Sequence, residues 1–301
     1  MKKILIIIVP LLILGVILIR PEKSLDSVLR AYWSFYGAGF KQIETKSYSI
    51  GYFHSDNGNR ETVLLLHGLG GKAASSWFTV LPELSEKYNI VAPDLLLANL
   101  TNGNMHNYTL EADEHLVLEL LDSLKVKKVS IVGLSVGGWL AAKLAIDRPD
   151  LCRKLVLIDS AGLDTRELME SIAGHKSDFG TWFYENIFYP SPPVPAFLVK
   201  PMLSKLDKLG PMCNELLKKN MFVSQELESG LSAIKCPTLL IWGAEDKIIP
   251  LKTAHKFNRM ITGSTLKVIK NCGHASVWDG RDKLPGILGS FLEKSVSSQV
   301  K

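Results

Sequence analysis

Cysteine is scarce in this sequence, and its spacing does not suit a metal site. The 301 residues include four cysteines, at positions 152, 213, 236 and 272. No pair has CxxC spacing or the spacing of zinc ligands, so structural zinc and thioredoxin-like redox chemistry are poorly supported. Cys152 and Cys236 each precede a predicted strand, and these two strands are expected to be neighbours. A disulfide between them therefore stays open, beside the alternative of two buried thiols.

An excess of charge of one sign is also lacking. The chain has 35 basic and 30 acidic residues, a formal net charge of +5, and its basic residues are scattered. This distribution is too weak to predict a nucleic-acid partner. Internal repeats and low-complexity tracts are absent as well. With 47% hydrophobic and 22% charged residues, the chain can instead bury one large core, which argues against a disordered protein or a coiled coil.

One long hydrophobic run lies at the N-terminus. Fourteen of the sixteen residues in 4–19 are apolar, with Lys2 and Lys3 before the run and Arg20 after it. As a helix the run would span about 24 Å, which is short for a hydrocarbon core of about 30 Å. Because no small residues precede a cleavage site, we predict that 1–20 is an uncleaved signal or single-pass membrane anchor. The short basic flank slightly favours a catalytic domain outside the cytoplasm.

Residues 21–40 carry an amphipathic helical pattern. Apolar side chains recur there at positions i, i+3, i+4, i+7, i+8 and i+11, namely Leu25, Val28, Leu29, Tyr32, Trp33 and Tyr36. A face rich in aromatic residues suits a membrane interface, so we predict a juxtamembrane helix. The alternative is a helix that packs this face against the protein's own core.

The rest of the chain, 41–295, alternates between strand and helix patterns. Short apolar runs without polar alternation are typical of strands that are buried on both faces. Such runs lie at 62–66, 90–92, 129–132, 155–158, 238–242 and 266–269, after two short strands within 42–54. Helical patterns lie at about 75–87, 110–124, 137–147, 251–261 and 282–294. This order predicts an α/β domain whose mostly parallel sheet is covered by helices on both faces.

The interval 163–232 interrupts the alternation because it contains no clear strand. Seven aromatic residues fall between Phe179 and Phe197, followed or interrupted by several prolines. We predict a mainly helical cap insertion over the sheet. Within this cap, the side chains of Trp182, Phe183 and Phe188 would contact the substrate. The alternative is that its aromatic residues serve ordinary packing, which explains many residues of this kind.

A nucleophile motif follows the strand at 129–132. The sequence Gly-Leu-Ser-Val-Gly-Gly at 133–138 matches G-x-S-x-G and stands between that strand and a predicted helix. In this setting the glycines permit a sharp turn that exposes the serine hydroxyl. The helix N-terminus behind it favours negative charge near the serine. Ser135 is therefore the candidate nucleophile.

A serine nucleophile needs a base, and the base needs an acid to orient it. His274 lies in the loop after the last predicted strand, at the sheet edge where Ser135 is expected. Asp246 follows the penultimate strand and is the candidate acid. Adjacent Glu245, and Asp159 after the strand at 155–158, are the competing candidates.

A glycine-rich turn supplies the remaining part of the predicted site. His67 begins the sequence His-Gly-Leu-Gly-Gly directly after the strand at 62–66 and is interpreted as structural. The backbone amides of Leu69 and Val136 would then stabilise the oxyanion of a tetrahedral intermediate. This chemistry requires neither a metal nor a cofactor.

These motifs, taken in order, resemble the α/β-hydrolase superfamily over about residues 42–295. The resemblance is carried by HGLGG, VAPD, GLSVGG, VLIDSAG, LLIWGAEDKIIP and NCGH. The chain order of Ser135, Asp246 and His274 is also that of this fold. The N-terminal run, the aromatic cap and the IDSAG segment are similar to membrane-associated monoacylglycerol lipases and related lipases. The resemblance implies the α/β-hydrolase fold and cleavage of acyl esters, with a small lipid or ester as substrate.

Three other functions stay open. Cys-Gly-His at 272–274, with Trp278 four residues on, also resembles the C–C bond hydrolases of ring-cleavage pathways. His274 and Asp279 spell H-x4-D, a pattern of acyltransferases. A non-catalytic binding protein of this fold is the third possibility, but such proteins usually lose a residue of the triad.

Overall fold

The computed structural model describes residues 23–58, 60–98, 108–163, 170, 174, 178–204, 206–208 and 225–294. The predicted anchor at 1–20 lies outside the described residues, as do parts of the predicted cap. Within the described part of the chain, no helix is both long enough and apolar enough to cross a membrane. The prediction of a membrane location is corrected on this finding.

The described strands form one sheet of eight. They are β1 Gly39–Glu44, β2 Ser49–His54, β3 Thr62–Leu66, β4 Asn89–Pro93, β5 Val129–Leu134, β6 Cys152–Ile158, β7 Thr238–Gly243 and β8 Thr265–Ile269. Their order is β1-β2-β4-β3-β5-β6-β7-β8, in which β2 pairs antiparallel with β1 and β4 and the other pairs are parallel. The predicted fold class, an α/β-hydrolase fold with a mostly parallel sheet, is confirmed.

Helices connect the strands and cover the sheet. They are α1 Lys23–Phe35, α2 Ala73–Trp77, α3 Leu81–Ser85, α4 Leu110–Ser123, α5 Val136–Asp147, α6 Phe179–Ile187, α7 Ala196–Leu203, α8 Gln225–Gly230, α9 Leu251–Met260, α10 Ser276–Asp279 and α11 Leu284–Glu293. Two buried clusters, one on each face of the sheet, form the core. Strand β5 is buried along its whole length, because it lies in the middle of the sheet with helices on both sides.

The predicted helix at 75–87 is instead two short helices, α2 and α3. Pro82 lies in the first turn of α3. A proline is tolerated there, but inside a continuous helix it would remove a hydrogen bond and clash with the preceding turn. Helix α11 likewise begins at Leu284, directly before Pro285, rather than at 282.

Helix α1 packs its apolar face against the protein's own core, which corrects the predicted juxtamembrane role of that face. The Trp33 side chain is fully buried, and its ring lies 4.4 Å from that of Phe53. Its indole Nε1 donates a hydrogen bond to the carbonyl oxygen of Ala74 at 3.1 Å. Leu29 and Tyr32 are buried on the same face. Tyr32 and Trp33 therefore serve packing, the alternative that the sequence left open, whereas Phe35 at the end of the helix is exposed.

Cys152 and Cys236 stand at the amino ends of the neighbouring strands β6 and β7. Their sulfur atoms are 3.4 Å apart, and both are free thiols. The predicted adjacency of the two cysteines is therefore present, without a disulfide. They lie at the opposite end of the strands from Ser135 and take no part in the site described below.

Candidate active site

Ser135 lies in a sharp turn between β5 and α5. Its backbone has φ of 54° and ψ of −119°, a conformation that is uncommon outside glycine. The backbone around it is held firmly, since its amide donates to Ile158 and its carbonyl oxygen accepts from Gly138 and Ala161 at 2.9–3.0 Å. The strained turn raises the serine side chain at the carboxyl edge of the sheet.

Close backbone packing explains the glycines that flank this turn. A Cβ atom on Gly137 would lie 2.5 Å from the carbonyl oxygen of His67 and closer still to that of Leu66. A Cβ atom on Gly133 would overlap the backbone of Gly137. Only glycine lets α5 begin this close to β3 and β5.

The three residues of the predicted triad meet at this edge. The Ser135 hydroxyl and His274 Nε2 are 3.1 Å apart, within hydrogen-bond distance. On the other side of the ring, Nδ1 lies 2.8 Å from Asp246 Oδ2. All three side chains are buried, with at most 9% of the residue surface exposed. The arrangement aligns a hydroxyl, an imidazole and a carboxylate for transfer of the serine proton to the ring.

The site favours the protonated form of His274. Burial is the largest single influence and lowers the pKa of the imidazole, but its carboxylate surroundings, above all the charge and hydrogen bond of Asp246, raise the pKa above the ordinary value of 6.5. Asp246 is itself held by two backbone amides, because its Oδ1 accepts hydrogen bonds from Ile248 and Ile249 at 2.8 Å. These bonds fix the carboxylate that faces the ring.

The two competing acids have other contacts. Glu245 Oε2 accepts a hydrogen bond from the Cys272 amide at 2.9 Å, so it holds the loop that carries His274. Asp159 is fully buried and accepts from the Gly243 amide through Oδ1 at 2.9 Å. Of these three carboxylates, the one that is hydrogen-bonded to the His274 imidazole is Asp246.

The glycine-rich turn after β3 lies against the serine. Leu69 lines the cavity at Ser135, and Val136 is the first residue of α5, where a helix amide has no acceptor within the helix. His67 anchors this turn from below. Its Nδ1–H donates to the Gly68 carbonyl oxygen at 2.9 Å, and its Nε2 accepts from the Leu95 amide at 3.0 Å. Burial is the largest influence on its pKa and lowers it, which agrees with a neutral ring.

A cavity of about 260 Å³ opens at Ser135. Two of the three predicted substrate contacts, Phe183 and Phe188, line it. Trp182, the third, is not in the lining and packs beside Phe179 and the core. Trp278, which the sequence named only for its resemblance to C–C bond hydrolases, is also in the lining, together with apolar residues that the sequence did not single out: Phe78, Ile187, Leu206 and Val277. They come from separate segments, which no local pattern could bring together.

Asp279 is a further residue whose role the sequence did not predict. Its Oδ2 accepts hydrogen bonds from the amides of Gly273 and Tyr189 at 2.9 and 2.8 Å. The Ala275 amide donates to Ile187 at 2.7 Å. The loop around His274 is therefore joined directly to the end of α6. The H-x4-D spacing reflects this structural link, in which the carboxylate is occupied by two amides.

The fold and the site geometry together define an α/β hydrolase with a serine at its nucleophile turn. The profile of the alpha/beta hydrolase family matches residues 63–284. The chain belongs to this family and is a hydrolase.

The names of similar proteins describe cleavage of different kinds of bond. A 2-hydroxymuconate semialdehyde hydrolase from Pseudomonas sp. (strain CF600) is 27% identical over 267 residues, covering 81% of this chain and 91% of that protein. A structure of a bacterial membrane phospholipase A has a TM-score of 0.76 at 24% identity, covering 97% and 98% of the two chains. A meta-cleavage product hydrolase from Pseudomonas fluorescens IP01 has a TM-score of 0.71 at 22% identity, covering 84% and 97%. At this identity the two structures support the fold alone.

Proposed function

We propose that this hydrolase cleaves carboxylic esters of lipophilic substrates, such as a monoacylglycerol or another acyl ester. The reaction passes through an acyl-enzyme on Ser135. One observation carries the choice of an ester: the described lining of the cavity at Ser135 contains apolar, glycine and serine residues and His274, but no lysine or arginine.

The geometry supports a two-step reaction. As Ser135 Oγ attacks the ester carbonyl carbon, His274 Nε2 takes the hydroxyl proton across the 3.1 Å contact. Asp246 stabilises the imidazolium that forms. The amides of Leu69 and Val136 would stabilise the oxyanion, each contributing on the order of 3–4 kcal/mol. His274 then protonates the leaving alcohol, and a water molecule, activated by the same ring, releases the acid.

A neutral acyl chain suits the cavity better than a charged substrate does. Burying a carboxylate without a cation or several hydrogen bonds is strongly unfavourable, and proteins usually bind carboxylates through arginine or lysine. An acyl chain needs only apolar contacts, which Phe183, Phe188 and Trp278 offer. The volume of about 260 Å³ is slightly below the range of roughly 300–1,000 Å³ that is typical of ligand pockets, so it suits one chain rather than several.

A C–C bond hydrolase of a ring-cleavage dienoate is the second candidate, and the name of the Pseudomonas relative favours it. Such a dienoate carries a carboxylate, for which the described cavity wall offers no cationic side chain. An acyltransferase using the same triad would instead pass the acyl group to an alcohol. The Asp279 contacts give no separate support for it, since that carboxylate binds backbone amides.

The test is a panel of substrates assayed side by side with the purified protein. Monoacylglycerols and p-nitrophenyl esters should be hydrolysed, and a ring-cleavage dienoate should not. Phe188→Ala should raise KM for the longer esters, because it removes apolar wall area, whereas Phe197→Ala, at a side chain that is 74% exposed, should not. Turnover of the dienoate alone would overturn the ester proposal. Ester products that appear only when an acceptor alcohol is added would favour the acyltransferase.

A further inference from the structure

A fourth polar side chain, Asp159, is buried beside the proposed triad. It directly follows β6 and has no exposed surface. One carboxylate oxygen, Oδ1, accepts from the Gly243 amide at 2.9 Å. The other, Oδ2, makes no hydrogen bond of standard geometry among the described residues, although the Ser276 hydroxyl lies near enough to the carboxyl group to lower its pKa. A buried polar atom without a partner is rare and unfavourable, so its presence next to reacting groups suggests a role in the site.

The sheet brings Asp159 and Asp246 to one point from two different strands. Oxygen atoms of the two carboxylates and a ring nitrogen of His274 all lie within 4.8 Å of one another. The Asp159 backbone has a φ of 44°, in the left-handed region. Strained backbone of this kind persists where the surroundings hold it, often at functional sites. Two acids thus lie within 4.8 Å of one imidazole nitrogen, and Asp246 is the one hydrogen-bonded to it.

Two carboxylates this close do not both carry a charge easily. Burial is the largest influence and raises the pKa of Asp159 to about 8, and the charge of Asp246 adds to the rise, while His274, Ser276 and the Gly243 amide lower it. At neutral pH the Asp159 carboxyl is therefore mostly neutral. Asp246, bound by two amides and by His274, carries the single negative charge of the site.

We propose that Asp159 is a positioning residue and a reserve acid, which orients and stabilises His274 when the carboxylate of Asp246 is lost. Removing the Asp246 charge removes a group that disfavours ionisation of Asp159. When His274 gains the serine proton, the positive charge of the ring favours the ionised form of Asp159, whose proton passes to solvent, and one negative charge stands again beside the imidazolium. This role rests on the proposed function, because it matters for rate only if His274 gains a proton during the reaction.

Ester hydrolysis by Asp159→Asn, Asp246→Asn and the double variant tests the proposal. Replacing the acid of a serine triad by its amide lowers kcat by about 10⁴-fold when nothing substitutes for it. For Asp246→Asn we expect a clearly smaller decrease in kcat, of about 10²-fold. The double variant should approach the full decrease in kcat of about 10⁴-fold. Asp159→Asn alone should lose less kcat than Asp246→Asn, because Asp246 still faces the ring. The exposed Asp282→Asn, added to Asp246→Asn, is the matched control and should cause no further loss.

A titration of the His274 ring by NMR gives a second readout, which needs no substrate. A nearby carboxylate raises a histidine pKa, so His274 should titrate about one pH unit or more higher in Asp246→Asn than in the double variant. Equal His274 pKa values in these two variants, or equal loss of kcat, would overturn the proposal for Asp159. If the pKa difference is present but the unsubstituted protein hydrolyses no ester, the proposed ester substrate fails and the role of Asp159 stands.

Discussion

Asp279 Oδ2 accepts a hydrogen bond from the backbone amide of Tyr189 at 2.8 Å, which joins the loop after β8 to the end of α6. The same oxygen binds the amide of Gly273, the residue before His274. Asp279→Ala would leave two amides without an acceptor, so we expect it to lower the free energy of unfolding by about 1–3 kcal/mol. The loss of support next to His274 should also lower kcat/KM.

Urea unfolding and ester kinetics check this prediction. The exposed Asp282→Ala is the matched control and should leave both quantities close to those of the unsubstituted protein. Asp279→Ala with unchanged stability and unchanged kcat/KM would show that this link is not needed to hold the His274 loop.

The rate should depend on the protonation of His274. Only the neutral ring can accept the Ser135 proton, so kcat/KM should fall as the pH falls through the pKa of His274 in the free protein. Burial lowers that pKa, but the carboxylate surroundings, above all Asp246, raise it more, so the midpoint should lie above the ordinary value of 6.5. A pH profile of ester hydrolysis measures it. A midpoint below 6.5 would contradict the electrostatic description of the site.

Gly137 should tolerate no side chain. An alanine Cβ there would lie 2.5 Å from the His67 carbonyl oxygen and closer to that of Leu66, so α5 would have to move away from β3. We expect Gly137→Ala to lower the free energy of unfolding by about 1–3 kcal/mol or more, and to reduce labelling of Ser135 by a fluorophosphonate.

Gly286→Ala is the matched control for that substitution. Gly286 lies inside α11, and a Cβ there meets no atom within 4 Å. Alanine in a helix interior is favoured over glycine by about 0.5–1 kcal/mol, so this variant should be at least as stable as the original. Thermal unfolding of the two variants should therefore shift in opposite directions.

Lys154 should matter for stability but not for catalysis. It is 2% exposed at the start of β6, and its Nζ donates to carbonyl oxygens at the end of α11, those of Leu292 and, at 2.6 Å, Lys294. Lys154→Met removes these bonds and should lower the free energy of unfolding by about 1–3 kcal/mol. Because Ser135 lies at the other end of the strands, kcat at low temperature should not change. Lys267→Met, on the exposed side of the edge strand β8, is the control.

The sheet and the triad geometry could be predicted because both follow from local sequence. Continuous apolar runs predicted the buried strands β3 to β7, and the carboxyl ends of parallel strands share one edge, where residues after β5, β7 and β8 were expected. The run at 266–269 also predicted a strand buried on both faces, but β8 is a mostly exposed edge strand, which corrects that expectation. Ser135 and His274 are more than a hundred residues apart in the sequence. The order of the strands in the sheet is nevertheless enough to bring them together with Asp246. Their catalytic roles remain proposals.

Other features depended on tertiary contacts that no local pattern contains. From the sequence, the apolar face of α1 could pack against either a membrane or the protein's own core. The contacts of Trp33 with Phe53 and Ala74 show that it packs against the core. Trp182 and Phe183 are neighbours in sequence, but α6 turns only Phe183 toward the cavity. The partners of Asp279 and the unpaired oxygen of Asp159 likewise arise from segments far apart in the chain.

Trapping of the acyl-enzyme shows directly whether Ser135 is the nucleophile. The protein is mixed with a p-nitrophenyl ester, quenched in acid within the first turnover, digested, and analysed by mass spectrometry. We expect one acyl group on the peptide that contains Ser135, with none in Ser135→Ala and none on the peptide that contains Ser160, a buried serine nearby. An acyl group on another residue, or ester turnover that persists in Ser135→Ala, would contradict this role of Ser135.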